Sequence, residues 1–211
     1  MVGIVRQQFI DKEETSGGIG YRFFHSVRVY NGCKQFLKFR SIMKRDVDRD
    51  AVLVAALFHD AGRAKYYRRK PSDATMLGHE NKSVMMIRAL PSTLISKTIK
   101  DRAARIIESD GKDPRIAFEK EIVDEADTLD EAGVLAILRM FTYGVYKNET
   151  VEGRIKYWAS KRRHMKRWLN RFKIPEIRKI AERRMRITDG IMAELEKEHE
   201  GKDLLTSYPK P

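Results

Sequence analysis

Ala51-Val52-Leu53-Val54-Ala55-Ala56-Leu57-Phe58-His59-Asp60-Ala61-Gly62 is the stretch that decides the fold. Eight apolar residues follow one another and end on an imidazole and a carboxylate, with two small residues behind. Such a run reads as a helix buried on every side, so charge arrives where the interior should continue. Leaving Asp60 unpaired there costs about 2–7 kcal/mol even as a neutral polar group, and more as a charge. A cation removes that cost. His25 lies 34 residues upstream of His59, and Asp127 lies 67 residues downstream of Asp60 inside Glu125-Ala126-Asp127-Thr128-Leu129-Asp130. Two imidazoles and two carboxylates converging on an interior form a donor set for a divalent transition metal. Taken singly, His25 reads as an ordinary core or surface histidine, and His59 as an imidazole at a helix C-terminus interacting with the dipole. The set together favours the metal.

Spacing limits how the donors meet. His59 and Asp60 are consecutive and point about 100° apart in an ideal helix, so both reach one ion only near the helix end. There Ala61-Gly62 lets the backbone turn and another chain approach closely. Asp124 and Asp127 share a helix face and Asp130 comes a turn later; spacing alone leaves open which of the three is the ligand.

At 211 residues the chain is long enough for one substantial core. It contains no run of 18 uncharged apolar residues and no basic segment leading into an apolar core at its start. Neither a membrane span nor a secretory signal is expected, and the expected location is the cytoplasm. Cys33 is the single cysteine, which excludes an intrachain disulfide and reads as a small buried hydrophobe. The net charge of +13 is concentrated: twelve Lys/Arg stand between Lys161 and Arg186 against Glu176 and Glu182. A block of this kind attracts phosphates, nucleic acid or anionic lipid, or is the solvated face of two long helices.

Period-3.6 patterning runs throughout and alternating strand patterns are nearly absent, so the chain is expected to be all-α. A breaker at Gly17-Gly18-Ile19-Gly20 precedes a helix from near Tyr21, with Phe24, Val27, Cys33, Phe36 and Leu37 as its inward stripe. Asp46 is expected to cap the helix carrying the apolar run. Lys70-Pro71-Ser72-Asp73 marks a loop. Further helices are expected from His79 to before Pro91, from Leu94 to Ser109, from Pro114 to about Asp127, and from Glu131 to Tyr146. The basic block falls on helices over about 152–170 and 175–198, joined at Ile174-Pro175. A disorder-like tail follows.

Three stretches resemble the HD-domain metal-dependent phosphohydrolases, whose signature is a His, then His-Asp on a second helix, then a later Asp. They are Phe24-His25-Ser26-Val27-Arg28-Val29, Ala55 to Arg63 around His59-Asp60, and Ile122 to Gly133 around Ala126-Asp127-Thr128-Leu129-Asp130. Gly78-His79-Glu80 with Ser83 resembles the family's intermediate His-Glu-x-x-Ser element, and the closing helix is similar to that of small stand-alone members. The resemblance covers about residues 21–198 and selects Asp127 among the three aspartates. It implies a single HD-type helical domain over 1–211, with a core of about 20–147, a basic helical extension of about 150–199 and a tail of 200–211. Where many two-metal members carry a further His, this chain reads Ile106-Ile107-Glu108-Ser109, so one ion is expected. Arg63-Ala64-Lys65 stands where stringent-response nucleotide hydrolases place a Glu-Asp pair, which argues against their way of activating water.

The resemblance implies a metal-dependent phosphohydrolase acting on a nucleotide or similar small phosphorylated substrate. His25, His59, Asp60 and Asp127 would hold Mn²⁺, Fe²⁺, Co²⁺, Ni²⁺ or Mg²⁺. Asp60, Arg63 and His79 are the catalytic candidates, Arg63 to neutralise phosphate charge and His79 to contact substrate or transfer a proton. Asp124 or Asp130 would orient a ligand from outside the coordination set. Two alternatives are a nucleotide-binding regulatory module without turnover and a nucleic-acid-binding protein using Arg162, Arg163 and Arg167. Tyr157, Trp158, Trp168 and Phe172 are available there to stack bases, although their spacing suits core packing better.

Overall fold

The computed structural model describes residues 1–10, 21–65 and 78–205. The breaker at 17–20, the loop at 70–73 and the end of the tail lie outside the described residues. The secondary structure that is described consists of helices and turns, with no strand among the described residues. The chain forms two compact units, Met1–Asp127 and Thr128–Pro211.

In the first unit, α1 (Val2–Ile10), α2 (Tyr21–Phe36), the short α3 (Arg40–Met43) and α4 (Arg49–Phe58) are followed by a 3-10 turn over Ala61–Lys65. Then come α5 (His79–Arg88), α6 (Lys97–Glu108) and α7 (Pro114–Asp130), within whose last turn the unit boundary falls. The apolar run is α4, and seven of its ten residues are buried, as a helix without a polar face requires. It packs against both α2 and α6, while α5 packs on α6 and on the 3-10 turn. On α2, Ser26, Val29, Cys33 and Phe36 form the inward stripe. Phe24, expected on that stripe, is instead 56 % exposed, and Phe23 takes the buried position. Phe24 falls about 200° round the helix from Ser26, on the solvent side.

Helix ends show where long-range contacts override local signals. Asp48, rather than Asp46, caps α4: its Oδ1 accepts from the Ala51 N–H at 3.0 Å. The Asp48 N–H is in turn donated to Glu119 Oε1 at 2.7 Å, a contact from 71 residues away, while Asp46 pairs with Arg115. α6 begins at Lys97 behind the Ser96 cap, because Pro91 to Ile95 are taken up in turns. α7 runs on to Asp130, so the following helix starts at Val134 rather than Glu131. Gly133 before it has φ +94°, a conformation suited to glycine.

The second unit contains α8 (Val134–Tyr146), α9 (Val151–Leu169) and α10 (Pro175–His199). Ile137, Met140, Ile155, Trp158, Met185 and Met192 form its core. α10 contributes Ile177, Ala181, Met185, Thr188 and Met192 at helical spacing, and Pro175 occupies its first turn, where a missing N–H costs nothing. Trp158 and Phe172 are buried, and Trp168 meets Phe172 edge-on, so these rings pack in the interior as their spacing indicates; Tyr157 is exposed. Arg167, Arg171, Lys173, Arg178, Lys179, Arg183 and Arg186 face solvent. No described helix is long and apolar enough to cross a membrane.

Candidate metal centre

Three helices of the first unit bring His25, His59 and Asp127 together. His25 sits on the buried side of α2, His59 is the C-cap of α4, and Asp127 lies near the end of α7. His25 Nε2 is 3.1 Å from Asp127 Oδ1, His59 Nε2 is 3.3 Å from His25 Nε2, and His59 Nε2 is 3.9 Å from Asp127 Oδ1. Donors bound at about 2.0–2.2 Å lie about 3.0 Å apart at a right angle and about 3.4 Å apart at the tetrahedral angle. The two shorter edges of the triangle match that spacing, and imidazole with carboxylate suits divalent transition metals. The residues therefore fit a divalent cation.

His59 is held for this task. Its Nδ1 lies 2.8 Å from the Ala56 carbonyl, and since a carbonyl only accepts, Nδ1 carries the proton and Nε2 presents its lone pair to the triangle. The turn behind it is tied by Ser83 of α5. The Ser83 hydroxyl accepts from the Gly62 N–H at 2.9 Å and donates to the His59 carbonyl at 3.0 Å. Glycine is needed at 62, because a Cβ there would stand 2.0 Å from the His79 carbonyl oxygen and 2.9 Å from Lys82 Cβ. The small pair behind His59-Asp60 thus allows the start of α5 to close onto the turn.

Asp60 is placed differently from the other three expected ligands. It is 5 % exposed, and each oxygen has a guanidinium partner: Arg22 Nη1 donates to Oδ2 at 2.7 Å and Arg63 Nε to Oδ1 at 2.6 Å. His79 Nε2 is 3.8 Å from Oδ1. Burial alone would raise this carboxyl, but His59, Arg22, Arg63 and His25 override it and hold it well below the usual carboxylate range. A carboxylate has about four acceptor positions, so the two arginines do not exhaust it. Asp127 is also held low: burial raises it, but the His25 hydrogen bond and the charges of His59 and His25 outweigh burial and the neighbouring Asp60. Asp124 is raised by burial and by the charges of Asp127 and Glu80, against Lys120 and His59. Asp130 is bound by Arg139 within the second unit, through its backbone carbonyl at 3.1 Å and its carboxylate at 3.4 Å.

Beside the triangle opens a cleft of about 170 Å³. His59, Asp60, Asp127, Arg63 and His79 line it, with Ile106, Ile107 and Val123 as apolar lining. Lys120 also faces it. Cys33 is fully buried, its thiol 3.7 Å from the Ile122 carbonyl, and burial followed by the charges of Asp127 and Asp124 pushes its pKa up. It is the inert small hydrophobe expected.

Sequence reasoning did not single out Arg22, Lys120 or the role of Ser83. Arg22 binds a residue 38 positions away, for which the sequence carries no local signal. Lys120 was accessible, lying four and seven residues before Asp124 and Asp127 and so on the same helix face.

Two imidazoles and a carboxylate gathered inside an all-helical unit, next to a polar cleft, form a donor set that could hold a divalent metal ion. The HD domain family profile matches residues 22–132, more than half of the chain, and the chain belongs to the HD domain family. HD domains bind divalent metals, and membership supports a metal-dependent hydrolase. Among solved structures the chain is similar to YpgQ of Bacillus subtilis in complex with ADP, at 22 % identity and TM-score 0.61 over 94 % of this chain and 97 % of that one. It is similar to a predicted HD superfamily hydrolase from an uncultured Thermotogales bacterium, at 21 % identity and TM-score 0.62 over 93 % and 90 %. A third is an HD-superfamily hydrolase from Bacillus thuringiensis, at 17 % identity and TM-score 0.65 over 94 % of each chain. At these identities the likeness concerns the fold. No curated protein matches the chain.

Proposed function

We propose that the protein is a metal-dependent phosphohydrolase that cleaves a phosphoester or phosphoanhydride bond of a nucleotide or similar small phosphorylated substrate. The observation that carries this reading is the His25-His59-Asp127 triangle opening on a cleft that also holds Arg63 and His79. A bound divalent cation supplies Lewis acidity at a phosphoryl oxygen and lowers the pKa of water. His25, His59 and Asp127 hold it, with Asp60 as the fourth donor, and the Ala56 carbonyl keeps His59 in the ligating tautomer. Arg22 and Arg63 keep Asp60 ionised and fixed in direction. Arg63 also places guanidinium charge next to a phosphate in the cleft, and His79 contacts substrate or passes a proton to the leaving oxygen. The apolar lining accommodates the uncharged part of the substrate. The ADP complex of YpgQ supports a nucleotide as the first substrate class to test.

The test joins elemental analysis of purified protein to phosphate and pyrophosphate release from a nucleotide panel with Mn²⁺, Co²⁺, Ni²⁺ and Mg²⁺. Near-stoichiometric metal with turnover of one nucleotide class is expected. Asp127→Ala should lose both metal and turnover while keeping its helix content by circular dichroism. Full activity in that variant would sink the assignment.

A further inference from the structure

Lys120 stands on α7 with Asp124 and Asp127, one and two turns along the same face, and all three line the cleft. Its ammonium has three donor hydrogens. It donates to the Ile107 carbonyl at 3.3 Å and stands 3.7 Å from Asp124 Oδ1, beyond hydrogen-bond distance. Arg63, which also lines the cleft, is by contrast committed to Asp60 at 2.6 Å. The helical rise places the backbone of Lys120 about 10 Å from that of Asp127, much of which a lysine side chain spans. An anionic group linked to one held at the triangle therefore comes within reach of the Lys120 ammonium.

We propose that Lys120 is a substrate-binding residue that receives a second phosphoryl group, so that the site prefers substrates with two or more linked phosphates over monophosphates. This rests on the phosphohydrolase reading above. Lysine suits the task because it binds phosphate as a compact point charge with rotatable donors and does not demand the planar, two-pronged geometry of arginine.

The experiment is equilibrium binding of imidodiphosphate, which resists hydrolysis, and of orthophosphate to Mn²⁺-loaded protein at fixed free Mn²⁺. Wild type, Lys120→Gln and Lys120→Arg are compared, with metal content measured in each. Wild type should bind imidodiphosphate at least about tenfold more tightly than orthophosphate, as one charge-assisted contact allows. Lys120→Gln should lose that preference while holding its metal, and Lys120→Arg should keep most of it. An unchanged preference in Lys120→Gln, or equal weakening of both ligands, overturns the role of Lys120. Wild-type protein that favours neither ligand overturns it as well but leaves the hydrolase reading standing. Metal-loaded wild type that binds neither ligand removes both.

Discussion

Replacing Ser83 with Ala tests whether the turn after α4 is tied as the structure indicates. The side chain is fully buried, and its hydroxyl joins the Gly62 N–H to the His59 carbonyl at 2.9 and 3.0 Å. Alanine keeps Cβ and deletes both bonds with almost no change in shape. Gly62 is itself buried, so its N–H is left without that acceptor, and a buried unsatisfied donor costs about 1–3 kcal/mol. The carbonyl, with a second lone pair, adds less. Urea unfolding of the metal-free protein should therefore show a loss of about 1–3 kcal/mol with an unchanged m-value. The same turn aims His59, so calorimetric metal affinity should fall about 10- to 100-fold, as it does when outer partners of ligands are removed. A variant within about 0.5 kcal/mol of wild type, a margin usual for surface positions, would refute the argument, whatever happened to metal binding.

Gly62→Ala should be harsher, because the added Cβ would meet the His79 carbonyl at 2.0 Å and backbone cannot yield cheaply; a large fall in melting temperature is expected, together with loss of bound metal in elemental analysis. Glu119 is wholly buried and held by two hydrogen bonds from Arg102 at 2.9 and 3.0 Å. Arg102→Met should cost about 3–5 kcal/mol by urea unfolding, since it strands a buried charge, and adding Glu119→Gln to it should recover part of the loss. Burial raises the Cys33 thiol, so the folded state keeps its proton where the unfolded chain, with a pKa of about 8.5, has begun to lose it. Stability should therefore be complete below pH of about 8.5 and fall above it, by up to 1.4 kcal/mol per pH unit. Unfolding curves of Cys33→Ala should lack that dependence, and native wild-type protein should resist a thiol reagent that modifies it once unfolded.

The helical class and the His25-His59-Asp127 set were legible because each rests on local information: helical periodicity, a polar pair at the end of an apolar run, and the order of three short motifs. What escaped rests on contacts distant in sequence. Asp46-Val47-Asp48 offers two equally good caps, and the choice is settled by Glu119, 71 residues on. Glu119 and Arg102 resemble ordinary surface charges until the helices carrying them meet. Phe23-Phe24 gave two adjacent rings with no local reason to prefer one, and packing turned Phe23 inward. The same applies to Asp60. Its burial next to an apolar run was foreseen together with its need for a cation, but the cations seen beside it are Arg22 and Arg63.

That pair of arginines has a consequence for how metal and substrate depend on one another. Asp60, Glu80, Asp124 and Asp127 stand around the cleft, and Arg22, Arg63 and Lys120 answer them. Among the described residues, with histidines neutral and every carboxyl ionised, four carboxylates against three cations leave one net negative charge, which does not favour a phosphate. A divalent ion at the triangle reverses the sign. Each charge acts at short range in a partly enclosed space, where screening by salt is weaker than at the open surface. Phosphate binding should accordingly follow metal binding rather than precede it. Chelated protein should show little phosphate affinity by calorimetry, and adding Mn²⁺ should restore it. Equal phosphate affinity with and without the ion would mean that the arginines, not the triangle, provide the attraction.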